Sequence, residues 1–341
     1  MNIRFFNYIP LVVGSLIAMN SCVSTDTLEQ GESKVESDKI VINLAAPEPG
    51  NTRATDGYKL RYIAKLFEGP KSDWDARSLK KTVEIIDGEV SNNRIEFVVD
   101  PNSYYGLLVF ADYIPHESTA DANGHYPDHF YNTTSYPMRY VMRSTPGKDT
   151  NNELSAEFFN NDAYDCFCNV DTIYKTKLER VVDMTLNRMV AQVVVQENTD
   201  NAGDCSVAIK SLKFVRNMDA NNKVASGLAT TTIGSQGITL QNNISSSQKN
   251  LFYHYTFANP TNDECNTAME FEVTQNGKTV SKNFPSLKVQ ANYRTIIKGS
   301  FLPAADPDPD PDPGVGDTTK EGNIILNIAK PTITWEEMYA Q

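Results

Sequence analysis

Residues 181–195 read VVDMTLNRMVAQVVV, and their pattern decides the fold class. Val182, Met184 and Leu186 alternate with Asp183, Thr185 and Asn187, the two-residue period of a strand with one face against a core and the other toward water. Beyond Arg188 the apolar set becomes Met189, Ala191, Val193 and Val195, in the opposite phase. A slip of one residue turns every side chain to the other face of a sheet, so this stretch must bend, bulge or cross between domains. A domain boundary is therefore placed near Glu179.

Outward from that point the strand period recurs. Residues 39–44 put Ile40, Ile42 and Leu44 on one face, residues 58–66 and 94–99 are further short alternating segments, and residues 104–114 form a longer apolar run. Loops rich in Asn, Asp, Gly and Pro separate them. Residues 73–81 alone suggest a short helix. Residues 287–297 read as one strand, with Leu287, Val289, Ala291, Tyr293 and Ile297 on one side and Lys288, Gln290, Asn292 and Arg294 on the other. The expectation is an all-β chain with two tandem β-sandwich domains, residues 39–178 and 179–303.

The two ends of the chain are of another kind. Residues 1–21 carry one cation, Arg4, no acidic residue, and an apolar stretch from Ile9 to Met19 that is short for a membrane span. Read as an export signal, it ends in Ser21-Cys22, which makes Cys22 the lipidated first residue of a lipoprotein. Residues 22–38 are polar and read as a flexible tether. Near the other end, residues 304–320 hold Asp-Pro repeats from Asp306 to Pro313, where alternate prolines forbid helix and sheet and like charges repel, giving an extended spacer. Such a spacer is a poor calcium site, because it cannot fold back to offer six or more oxygens. Residues 321–341 turn apolar again: Ile324, Leu326 and Ile328 alternate, Lys330-Pro331 interrupts, and Ile333 and Trp335 resume in the opposite phase. An apolar strand on a charged leash must find a groove.

Composition narrows the function. With 31 Lys+Arg against 43 Asp+Glu the net charge is −12, which argues against nucleic acid and against electrostatic attachment to anionic lipid. Cys166, Cys168, Cys205 and Cys265 are expected as disulfides or buried thiols, since the Cys-x-Cys spacing lacks the turn of a metal knuckle. There is no GxSxG elbow, HExxH, phosphate loop or dinucleotide fingerprint, so no catalytic residue, cofactor or metal site is expected. His116, His125 and His129 share a stretch with Asp112, Asp121 and Asp128. Pro127 between the last two histidines, with Gly124 before them, favours a solvated loop over a ligand-bearing helix, and a metal-dependent hydrolase is the weaker alternative. The 16 tyrosines, including 104, 105, 126, 131, 136, 140 and 164, either pack in sandwich cores or stack on sugars, which keeps a surface glycan-binding lipoprotein as the other alternative.

Three segments in order resemble the fimbrillin superfamily, the lipoprotein precursors of type V pili of Gram-negative anaerobes. They are KIVINL at 39–44 with NTRAT at 51–55, then NDAYDCF at 161–167 with DMTLNRMVAQV at 183–193, and VQANYRTIIKGSFL at 289–302. The middle one is similar to the family's "leucine, x, arginine, x, x, alanine" strand. The resemblance implies two transthyretin-like, Greek-key sandwiches and export to the outer membrane as a surface-exposed lipoprotein. It further implies cleavage by an arginine-specific protease in the loop after the first strand, release into a fimbrium, and assembly with other pilus subunits by donor-strand exchange, with a role in adhesion to a host or bacterial surface glycan or protein. On this sequence Arg53 is the candidate cleavage site, residues 39–44 the strand that leaves, and Ile324, Leu326, Ile328, Ile333 and Trp335 the candidate donor. The Asp-Pro spacer departs from the family pattern and leaves stalk, tip and anchor positions open.

Overall fold

The computed structural model describes residues 38–45, 56–100, 102–149, 153–173, 180–198, 203–233, 237–261, 265–303 and 332–337. Their regular structure is strand, apart from three single-turn 3-10 segments, Ser91–Asn93, Ala156–Phe158 and Asp162–Tyr164. The all-β expectation is met. In the first half, β1 (Asp38–Ala45) lies between β4 (Arg94–Val99) and β10 (Arg180–Thr185) in a three-stranded sheet. The second sheet of this half runs, in spatial order, β11 (Asn187–Arg188), β9 (Cys166–Ile173), β5 (Tyr105–Pro115), β2 (Tyr58–Glu68) and β3 (Ser78–Ile86).

The second half repeats the layering on a larger scale. A four-stranded sheet has the order β17 (Asn250–Phe257), β12 (Val190–Glu197), β20 (Tyr293–Gly299), β21 (Thr332–Glu337). A seven-stranded sheet has the path β19 (Lys278–Val289), β18 (Cys265–Gln275), β13 (Gly203–Asp219), β7 (Arg139–Met142), β6 (Tyr131–Asn132), with β14 (Val224–Thr230) and β16 (Ile238–Ile244) also paired to β13. β8 (Glu153–Leu154) and β15 (Thr232–Ile233) make a short parallel pair. The facing layers meet where Phe252 of β17 packs edge-on to Phe271 of β18, ring centroids 5.1 Å apart. Thr256 Oγ1 there accepts a hydrogen bond of 2.9 Å from the Val215 amide of β13.

The phase change in residues 181–195 is a double crossing. β10 belongs to the three-stranded sheet, β11 to the five-stranded sheet and β12 to the four-stranded sheet, so each short run answers to a different sheet. Arg188 pins the turn. It is 3% exposed, its Nε donates to both Asp165 carboxylate oxygens at 2.7 and 2.9 Å, and its Nη1 donates to Asn292 Oδ1 at 2.9 Å. The boundary expected at Glu179 falls outside the described residues. The halves are also tied by the β5–β9 connection, which places β6 and β7 in the seven-stranded sheet and stacks Tyr140 on Phe110 of β5 at 3.9 Å.

Two local expectations are corrected. Residues 73–81 are not helical: residues 73–77 form a turn in which the Asp73 carboxylate accepts from the amides of Asp75 and Ala76, and β3 begins at Ser78. The turn is held by tertiary packing, since Arg77 stacks on Trp74 at 4.6 Å and Trp74 lies on Gly106 so closely that a Cβ there would sit 2.4 Å from the indole. Residues 287–297 are two strands, not one. Asn292 adopts φ 67°, a left-handed conformation that Asn tolerates, and the chain passes from β19 in one sheet to β20 in the other.

All four described cysteines are buried free thiols. His254 of β17 is fully buried between Phe158 and Phe159, and burial lowers its pKa from 6.5 to about 4. Two outcomes follow from these buried groups. Arg188→Met leaves the Asp165 carboxylate uncompensated and should lower stability by about 3–5 kcal/mol in equilibrium denaturation. The unfolded chain takes up a proton at His254 that the folded chain refuses, so its contribution is present above about pH 6.5 and is lost as the pH falls toward 4. Between about pH 7.5 and about pH 4.5 the wild type should lose about 2–3 kcal/mol more than His254→Phe.

Candidate functional site

The three-stranded sheet depends on one strand. β4 pairs antiparallel with β1, Ile40 opposite Phe97 and Ile42 opposite Ile95. β10 pairs parallel with it, Ile42 opposite Val182 and Leu44 opposite Met184. Neither β4 nor β10 pairs with another described strand. The alternation read in residues 39–44 is the reason β1 fits: Ile40 and Ile42 are fully buried and Leu44 is 5% exposed, on a face shared with Ile95, Phe97, Val182 and Met184 in the core.

The outer face is mixed: Val41 is fully buried there, but the polar contacts are weak. Lys39 lies 3.6 Å from Glu96 with both side chains about half exposed, and Asn43 donates to Asp183 at 2.8 Å. Solvent-exposed contacts of this kind contribute little. Val98 and Val181 are 62% and 54% exposed on the flanking strands. Each of the three inner apolar side chains, by contrast, contributes roughly 1.5–3 kcal/mol by burial. β1 is thus gripped by its inner side chains and by two rows of backbone hydrogen bonds. It is not the arm of a hairpin with either partner: β4 follows two intervening strands and β10 follows eight.

The C-terminal strand is a second addition. β21 runs antiparallel along β20, Ile333 opposite Ile297 and Trp335 opposite Thr295, and forms the outer strand of the four-stranded sheet. The later part of the candidate donor therefore lies along the chain's own β20 edge. Ile324, Leu326 and Ile328, together with Cys22, Arg53 and the Asp-Pro spacer, lie outside the described residues.

The remaining candidates are dispersed. His125 Nδ1 lies 3.0 Å from a Glu84 carboxylate oxygen, His129 packs edge-on to Phe130 at 4.5 Å, and among the described residues no group of three or more His, Cys, Asp or Glu is arranged to hold a metal ion. Asp112 and Asp128 instead bind Arg61, which is fully buried and donates to them at 2.8 and 3.1 Å, with Glu84 at 3.3 Å. Lys65 beside them donates to the carbonyls of Thr133 and Pro137 at 2.7 and 3.1 Å, and burial lowers its pKa to about 8. The carboxylates flagged in the loop thus neutralise a buried cation under the β5–β9 connection. Sequence reasoning missed Arg61 and Asp112 as a pair. Their only signal was a charged residue at a core phase of β2 and of β5.

A family profile described as "Family of unknown function (DUF6562)" matches residues 32–324. No curated protein matches. Among solved structures, a candidate cell adhesion protein from Bacteroides ovatus is 13% identical, with 89% of this chain and 99% of that chain covered and a TM-score of 0.44. A candidate cell adhesion protein from Bacteroides eggerthii is 11% identical, covering 89% of this chain and 96% of that one at a TM-score of 0.45. A fimbrial assembly protein from Parabacteroides distasonis is 11% identical, with 77% and 91% covered and a TM-score of 0.38.

The grip on β1 is open to direct measurement. Ile42→Ala should lower stability by about 2–4 kcal/mol, whereas Val181→Ala, on the exposed face, should change it by less than about 0.5 kcal/mol in urea titrations.

Proposed function

The chain belongs to DUF6562, a family of unknown function, and we propose that within it this protein is a cell-surface fimbrial subunit that assembles by exchanging strands, not a catalyst. The observation that carries this reading is that β1 is the only strand, among those described, paired to β4 and to β10. Removing it exposes two rows of backbone donors and acceptors and the apolar positions beside Ile95, Phe97, Val182 and Met184. A strand from another molecule satisfies all of them at once.

In this reading the precursor is exported, lipidated at Cys22 and displayed on the outer membrane. Cleavage after Arg53 removes the lipid and β1 together. The slot is then filled by the C-terminal strand of a neighbouring subunit, residues 324–335, which in the free chain is partly parked on β20 as β21. The Asp-Pro spacer supplies reach: residues 304–320, at ~3.1 Å per residue, span about 50 Å when extended. The ordered resemblance of three sequence segments to fimbrillins supports the same assignment.

Strand exchange makes cleavage the trigger of assembly. Limited digestion with an arginine-specific protease should convert the purified wild-type chain to oligomers that resist sodium dodecyl sulfate. Arg53→Ala, and a chain ending at residue 319, should both remain monomeric after the same treatment. Cleaved wild-type protein that stays monomeric would count against the proposal.

A further inference from the structure

The tyrosines divide by burial. Tyr105, Tyr131, Tyr140 and Tyr164 are core residues, and Tyr131 and Tyr164 have their hydroxyls bonded to backbone carbonyls. Tyr126 is partly buried under the Lys59 ammonium, 5.1 Å from its ring. Tyr136 differs: it is 50% exposed, the one aromatic among the exposed large apolar side chains of the described residues.

Its setting is built, not incidental. Tyr136 stands between two open clefts of about 590 and 460 Å3 and lines both. Three distant segments meet there: the turn at residues 73–77, the β6–β7 turn, and the β13–β14 turn. Arg139, also shared by the two clefts, holds its guanidinium 5.6 Å from the Tyr136 ring and is itself fixed by Asp219 at 2.7 Å. Asn221 donates to Asp75 at 3.0 Å across the first cleft, so both planar groups are preset.

We infer that the Tyr136 ridge and its two clefts form a binding site for a neutral oligosaccharide chain. A sugar ring offers an apolar C–H face and a rim of hydroxyls. Tyr136 offers a flat apolar face with a polar tip, and the surrounding amide, carboxylate and guanidinium groups donate and accept hydrogen bonds beside it. Openness on both sides of the ridge admits a chain that runs through. A polyanion is disfavoured, because Arg139 is already paired with Asp219 and the whole chain carries −12. A protein partner is disfavoured too. The exposed Leu79, Tyr136 and Leu228 are interleaved with ion pairs and amides, whereas protein interfaces are depleted in charge at their centres. The site uses neither β1 nor β21, so it stands or falls independently of strand exchange.

Affinity electrophoresis of the full chain tests this in native gels containing yeast mannan, mixed-linkage β-glucan, arabinoxylan, galactan or pullulan, with heparin as the polyanion control. At least one neutral polysaccharide should retard the wild type. Tyr136→Ala should weaken that retardation about tenfold or more and Tyr136→Phe should keep it within about threefold, because the ring and not the hydroxyl does the stacking. Leu228→Arg, at an exposed position of the second cleft, should also weaken it and serves if Tyr136→Ala does not fold. Retardation by heparin alone, by none of these polysaccharides, or equally in wild type and both cleft variants would overturn the inference. Self-association that is lost in Tyr136→Ala, without retardation, would overturn it as well and assign the surface to a second copy of the chain.

Discussion

A strand in the middle of a sheet satisfies two rows of backbone N–H and C=O groups, and no side chain can do that work in its place. The sheet formed by β10, β1 and β4 is the smallest arrangement in which this matters, because both outer strands have the central strand as their sole partner among those described. β1 comes from the N-terminal end of the described chain, and its partners lie far apart in sequence, β10 some 140 residues downstream. The strand is therefore held by pairing and by the burial of Ile40, Ile42 and Leu44, with no hairpin to close the pairing locally.

The rest of the molecule is held by contacts that leave β1 out. The five-stranded sheet is locked by Arg61 with Asp112 and Asp128 and by the Phe110–Tyr140 stack, none of which involves β1. Arg188, bound to Asp165 and Asn292, fixes the point where the chain leaves β11 for the second sandwich. Buried ion pairs of this kind add little net stability over an apolar core, yet breaking one is costly. Here they join segments that strand pairing alone would leave loosely registered.

Much of this was legible in the sequence, for a physical reason. Alternation at residues 94–99 and 182–186 reports burial on one face of a sheet, and the structure buries Ile95, Phe97, Val99, Val182, Met184 and Leu186; at residues 39–44 it buries Ile40, Ile42 and Leu44, and Val41 on the other face as well. The phase change at Arg188 left a bend, a bulge or a crossing open, and could not say that three sheets are visited within residues 180–197. Residues 287–297 misled because the period continues through Asn292 while the chain changes sheet. Period records which face is apolar, not which sheet the strand joins. Residues 73–77 misled because the packing of Trp74 on Gly106, a tertiary contact, decides the turn. That β1 is the sole partner of β4 and β10 among the described strands was beyond any single-sequence pattern, since strand order arises only on folding. So was the sorting of Tyr136 from its buried counterparts.

In the proposed strand exchange the place of β1 is a groove able to accept a strand from outside. Amide hydrogen exchange tests it on chain cleaved after Arg53 and freed of the released segment, with and without a synthetic peptide SDKIVINLAA corresponding to residues 37–46. Fast exchange is expected at the amides of β4 and β10 in the emptied chain, with slow exchange elsewhere, and recovery of protection when the peptide binds. Amides of β4 and β10 that stay protected in the emptied chain, or that ignore the peptide, would contradict it.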